Sequence, residues 1–125
     1  MAEKKKVLIV EDDAFISSIY KTKLEREGFE ALTAENGVEA MKLLEAIVPD
    51  MMLLDIIMPY MDGMEVLKSI KKDDRWKKIP VILLTNLSEK EKIDEALGIG
   101  ADDYLLKSHF TPSEVLEKVN SLLKK

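Results

Sequence analysis

Pro80-Val81-Ile82-Leu83-Leu84-Thr85 decides the fold, because its apolar residues run on without the alternation of a strand that has one wet face. A run of this kind suits a strand covered on both sides, the usual environment in a parallel sheet. Working outward, Val7–Val10, Glu30–Ala34, Met51–Leu54 and Asp103–Leu106 are further short runs of strand type, with Pro80–Leu84 the fourth of five.

The intervening stretches are amphipathic and have readable ends. Asp13 opens one that extends to about Glu27 and stops at Gly28, with Phe15, Ile16, Ile19, Tyr20 and Leu24 at helical spacing. Asn36 is placed to cap a second, which ends before Pro49. Ser88-Glu89-Lys90-Glu91 and Thr111-Pro112-Ser113-Glu114 both read as capping boxes, and the last helix spans Pro112–Leu123. Five strand–helix units on short loops predict one α/β domain over residues 1–125, an open, doubly wound parallel sheet with helices on both faces. A closed eight-stranded barrel would need about twice this length.

Composition narrows the chemistry. The 125 residues contain no cysteine and one histidine, which excludes disulfides, thiolate metal sites and multi-histidine metal sites. With 24 acidic and 19 basic residues the net charge is −5, which disfavours nucleic-acid binding by this domain. No apolar run approaches the roughly 20 residues of a membrane span. The charged start Met1-Ala2-Glu3-Lys4-Lys5-Lys6 leads into a stretch too short for a secretory core, so a cytoplasmic location is expected.

In such sheets ligands bind beyond the carboxyl ends of the strands. The first strand ends in Glu11-Asp12-Asp13, the third in Asp55, the fourth in Thr85 and the fifth in Lys107. Asp13 is placed as a helix cap, and a lone lysine or threonine at a strand end is commonly just solvated. Gathered together, however, Glu11, Asp12 and Asp55 would repel one another, and a hard divalent cation would remove that repulsion. A carboxylate beside such a cation is a competent nucleophile toward phosphorus, and Lys107 and Thr85 have the charge and the hydroxyl that phosphoryl oxygens require.

Four blocks, Val7-Leu8-Ile9-Val10-Glu11-Asp12-Asp13, Leu54-Asp55-Ile56-Ile57-Met58-Pro59-Tyr60-Met61-Asp62-Gly63, Val81-Ile82-Leu83-Leu84-Thr85 and Gly100-Ala101-Asp102-Asp103-Tyr104-Leu105-Leu106-Lys107, resemble in order and spacing the receiver domains of bacterial two-component response regulators. The resemblance covers nearly the whole chain. It implies a flavodoxin-like sheet of strand order 2-1-3-4-5 and a phosphoacceptor role for Asp55. It implies magnesium (or manganese) held by Asp12, Asp55 and the backbone carbonyl of Ile57, with Glu11 acting through water. Lys107 would pair with the phosphoryl group, while Thr85 and Tyr104 would switch with it and change the surface of the fourth helix, fifth strand and fifth helix. The implied partners are a sensor histidine kinase or histidine phosphotransfer protein as donor, a target protein or output domain, and a second copy in a phosphorylation-dependent homodimer. No direct nucleic-acid or membrane partner is implied. The domain would be a signalling domain rather than an enzyme, catalysing only its own phosphotransfer and a slow dephosphorylation.

Several positions depart from the family pattern. Ser108 stands where receivers carry proline after the lysine, so a trans Lys107–Ser108 bond is expected. Asn86 has two open readings, a hydrogen bond at the phosphoryl site or simple solvation. Ile57 and Leu87 are apolar where polar side chains would orient an attacking water, which predicts slow self-hydrolysis. His109 reads as a loop residue, Trp76 as a cover for a helix end, and the methionines as packing, with Met58, Met61 and Met64 able to border a partner surface. Three other functions compete. A haloacid-dehalogenase-type phosphatase needs an aspartate at position 57; a flavin carrier needs a phosphate loop that Glu11-Asp12-Asp13 would repel; and a receiver-like interaction module would never be phosphorylated. The chain is either a stand-alone receiver or part of a longer regulator.

Overall fold

The computed structural model describes residues 4–123; Met1–Glu3, part of the charged start, lie outside them. Five strands, β1 (Lys6–Val10), β2 (Glu30–Ala34), β3 (Met51–Leu54), β4 (Val81–Thr85) and β5 (Asp103–Leu106), alternate with five helices, α1 (Ala14–Arg26), α2 (Gly37–Ala46), α3 (Gly63–Lys72), α4 (Lys90–Ile99) and α5 (Pro112–Leu123). All pairings are parallel and the strand order is β2-β1-β3-β4-β5, the flavodoxin-like arrangement expected. No described helix is long and apolar enough to cross a membrane.

The unbroken apolar runs serve two cores at once, since successive strand residues point to opposite faces. Leu8, Val10, Met52, Leu54, Val81 and Leu83 pack with residues of α2, α3 and α4. Val7, Ile9, Met51, Leu53, Ile82 and Leu84 pack with residues of α1 and α5. The parity carries past the strand ends and assigns each terminal side chain to a side of the sheet.

Helix ends follow the sequence signals, with one exception. The Asp13 carboxylate accepts the amides of Phe15 and Ile16, and the chain leaves α1 through Gly28 at φ +91°. Asn36 accepts from the Glu39 amide, and Thr111 and Glu114 form the predicted reciprocal box. The box predicted at Ser88 is absent: α4 begins one residue later than that motif implies, with Glu89 at the cap position and no side-chain cap bond. A box that the sequence reading did not single out opens α3, between Asp62 and Glu65. The fourth strand begins at Val81 rather than Pro80, because proline has no N–H for the ladder; its carbonyl still accepts from the Met52 amide at 2.9 Å.

Trp76 does more than cover a helix end. It is 3% exposed and belongs to the α2–α4 core, with the Arg75 guanidinium 4.1 Å from its ring centroid. Met58 and Met64 are likewise buried in that core, with Met61 packed against it, so the three methionines act chiefly as packing.

Candidate functional site

Parallel strands bring their carboxyl ends to one edge, and the register decides what meets there. Glu11 and Asp55 continue the faces of Ile9 and Leu53, and Lys107 continues that of Leu105, so all three turn toward the α1–α5 side. The backbone locks this edge: the Glu11 amide donates to Ala34, the Asp55 amide to Val10 and the Lys107 amide to Thr85. Glu11 and Asp55 are 6% and 7% exposed, whereas Asp12 is open to solvent.

Carboxylate oxygens of Glu11, Asp12 and Asp55 lie within 4.8 Å of one another. The Lys107 ammonium bridges two of them, donating to Asp55 Oδ2 at 2.9 Å and to Glu11 Oε1. Sequence reasoning anticipated the gathering of these four residues. It did not anticipate that Lys107 would pair with Glu11 as closely as with the acceptor.

The electrostatics match a crowded, half-dry cluster. Burial raises the Glu11 pKa, outweighing the Lys107 hydrogen bond and the Asp13 amide that pull it down, and the Asp55 charge adds to the rise. Burial pulls the Lys107 pKa down, yet hydrogen bonds and charges from Glu11 and Asp55 more than offset it and hold the ammonium above its ordinary value. Hard oxygen donors with one solvent-facing carboxylate fit a magnesium-class cation, which keeps waters and takes one or two carboxylates. Asp12, Asp55 and Glu11 are the side chains whose oxygens are placed to hold it.

The β3–α3 loop folds back tightly over Asp55. The Ile57 amide donates to Asp55 Oδ1 at 3.3 Å, and the Gly63 amide donates to the Ile56 carbonyl at 2.8 Å. A Cβ at Gly63 would stand 2.7 Å from Ile56 Cα and 2.8 Å from the Asp55 carbonyl carbon. Gly63 is therefore a site residue that the sequence reading recorded only as part of a motif. The Ile57 side chain itself is 60% exposed.

Thr85 and Tyr104 lie on the other side of the sheet and are joined through Leu87. The buried Thr85 hydroxyl accepts from the Leu87 amide at 3.3 Å, and the Tyr104 phenol donates to the Leu87 carbonyl. Burial raises the Tyr104 pKa, with smaller contributions from the Asp55 and Glu89 charges. This backbone bridge is invisible in sequence, since any residue at 87 has the same amide and carbonyl. Asn86 is exposed, His109 sits exposed in the turn after β5, and no described peptide bond is cis, so Lys107–Ser108 is trans as expected.

Comparison with known proteins converges on one family. A family model described as response regulator receiver domain matches residues 7–120. The alkaline phosphatase synthesis transcriptional regulatory protein PhoP of Bacillus subtilis is 37% identical over 123 residues, covering 97% of this chain and 49% of that protein. The phosphate regulon transcriptional regulatory protein PhoB of Pseudomonas aeruginosa is 36% identical over 121 residues, covering 97% and 52%. The chain thus spans about half the length of the curated relatives it matches. Among solved structures, the receiver domain of the Francisella response regulator 1452 superposes with a TM-score of 0.88 at 38% identity, covering 97% of this chain and 98% of that one. The Vibrio cholerae chemotaxis protein CheY4 superposes with a TM-score of 0.89 at 30% identity, covering 97% and 100%.

Proposed function

The chain belongs to the response regulator receiver domain family, and from that premise we propose that Asp55 accepts a phosphoryl group from a phosphohistidine of a partner protein in a magnesium-dependent reaction. The observation that carries this reading is the Lys107 ammonium bridging Asp55 and Glu11 among three converging carboxylates.

An Asp55 carboxylate oxygen attacks phosphorus, an O–P bond forms, and the P–N bond to the donor imidazole breaks with its electron pair returning to nitrogen. Asp55 is fixed for attack by the Ile57 amide on Oδ1, and Lys107 moves its ammonium from the carboxylates to a phosphoryl oxygen. The Asp12 and Asp55 carboxylates and the Ile57 carbonyl, with Glu11 through water, would hold a magnesium ion, which would supply charge neutralisation for the transferring group.

The new group adds about −1.5 to −2 charge and fresh acceptor oxygens. Thr85 answers by turning its hydroxyl toward them, which releases the Leu87 amide. Because the Leu87 carbonyl holds Tyr104, that release reaches β5 and changes the α4–β5–α5 surface. Apolar Ile57 and Leu87 leave an attacking water unoriented, so the acyl phosphate decays slowly. The domain acts in the cytoplasm, takes its donor from a sensor kinase or phosphotransfer protein, and passes the signal to a target, an output domain or a second copy.

Intact-mass measurement after acetyl phosphate and magnesium tests the proposal. One added phosphoryl group, absent in Asp55→Asn and without magnesium, is expected. No gain in the wild-type chain would instead favour an interaction module that works without phosphorylation.

A further inference from the structure

Below the two buried acids lies a cavity of about 10 Å³, lined by Glu11 and Asp55, by Ile9, Leu53 and Leu84, and by Tyr20 of α1. Apart from Tyr20, its neutral lining is aliphatic, and Tyr20 is the one lining residue whose neutral side chain carries a hydrogen-bond donor. Tyr20 is 5% exposed, and its ring is packed in the α1–α5 core as well as lining this cavity. Burial raises its pKa, while Lys107 and Glu11 act on it in opposite directions, which puts both charges within electrostatic reach of the phenol.

In the resting arrangement Tyr20 takes no part in holding Glu11. One Glu11 oxygen accepts from Lys107 and the other from the Asp13 amide at 3.1 Å. That balance changes if Lys107 turns to a phosphoryl oxygen on Asp55. A carboxylate oxygen of a residue only 6% exposed then loses its charged donor, and the Asp13 amide together with one metal-bound water leave acceptor positions on that carboxylate unfilled. The cavity is the space in which a replacement donor can approach.

We propose that Tyr20 is a positioning residue for this site: when Lys107 leaves Glu11, the Tyr20 hydroxyl donates to the freed Glu11 oxygen and holds that carboxylate in place. The inference rests on the phosphoacceptor reading of Asp55. It differs from a packing role because phenylalanine would fill the same volume, yet only the hydroxyl can replace Lys107. Ser17, 7% exposed and lining a neighbouring cleft with Glu11, is the rival donor and serves as the comparison.

The full chain, Tyr20→Phe and Ser17→Ala are compared with acetyl phosphate and magnesium by intact mass. Tyr20→Phe should unfold within about 2 °C of the wild type when unmodified. Its phosphorylation rate at saturating magnesium should fall about tenfold, and the effect should vanish in a Glu11→Gln background. In chain labelled with ¹³C at the tyrosine ζ carbon, the Tyr20 resonance, identified by its loss in Tyr20→Phe, should move on phosphorylation. Equal rates, an unmoved Tyr20 resonance, or a loss confined to Ser17→Ala would overturn the proposal. A wild-type chain that takes up no phosphoryl group would overturn the reading of Asp55, and this inference with it.

Discussion

Replacing Gly63 by alanine tests how tightly the site is built into the backbone. In an unconstrained helix the change would stabilise by about 0.5–1 kcal/mol, because glycine loses more freedom on folding. Here the added Cβ would press on Ile56 Cα at 2.7 Å and on the Asp55 carbonyl carbon at 2.8 Å, and closer still on the Asp55 carbonyl oxygen. Every one of those atoms is backbone, so relief requires the segment carrying Asp55 to shift and the 2.8 Å Gly63–Ile56 hydrogen bond to stretch. Overpacking costs about 1–3 kcal/mol, and a weakened bond to a buried carbonyl about 1 more, for an expected loss of about 2–4 kcal/mol. Gly98 is the internal control: it lies inside α4, a Cβ there meets nothing within 4 Å, and Gly98→Ala should gain about 0.5–1 kcal/mol. In urea unfolding, with a slope of roughly 1.5–2 kcal/mol per molar, the midpoint should fall by about 1–3 M in Gly63→Ala and rise slightly in Gly98→Ala. A Gly63→Ala variant as stable as the wild type would refute the claim that the loop has no room to give.

Further outcomes follow from the same coordinates. Lys107→Ala leaves Glu11 and Asp55 without their shared ammonium, so the metal-free chain should lose about 2–4 kcal/mol in urea unfolding, with added magnesium restoring more stability than it gives the wild type. Polar replacements at both Ile57 and Leu87 should speed phosphate release from the phosphorylated chain over wild type, read as the decay of the added phosphoryl mass. Asp73, held by Arg75 through side-chain and backbone hydrogen bonds, titrates at about 2 rather than 3.8. Its contribution to stability is therefore complete above the unfolded value and lost as pH falls through about 2; in Arg75→Ala the carboxyl resonance, followed by NMR, should titrate at a higher pH, while the retained amide of residue 75 keeps it below its ordinary value.

How much of this was legible in the sequence depends on where each piece of information resides. Runs such as Val81–Leu84 announce a sheet covered twice, and once the strands are parallel, the convergence of Glu11, Asp55 and Lys107 follows from their common position at strand ends. Helix starts were readable where a short polar side chain does the capping, as at Asp13, Asn36 and Thr111. The reading failed at Ser88, where the pattern was present but the β4–α4 loop placed Glu89 at the cap. Trp76 was hidden by its charged neighbours, since Asp73 to Lys78 looks like a solvated loop until Arg75 is seen lying across the indole. The Thr85–Leu87–Tyr104 bridge runs through main-chain atoms, which carry no residue identity at all.

The site's charge explains why the proposed chemistry would depend on a cation. Three carboxylates and one ammonium leave the cluster at −2, which a divalent ion brings to neutrality. Phosphorylation exchanges the single charge of Asp55 for about −1.5 to −2, so with the ion the modified cluster stays near −1, and without it approaches −3 in a pocket whose acids are largely dry. Lys107 alone is one charge against that accumulation, and it is already divided between two carboxylates before any phosphoryl group arrives. The same ammonium therefore bridges the resting carboxylates and, in the proposed reaction, would turn from them toward the transferred group. In the proposed reaction the cation would offset the added charge, and Tyr20 would add a donor at the acid that Lys107 leaves behind.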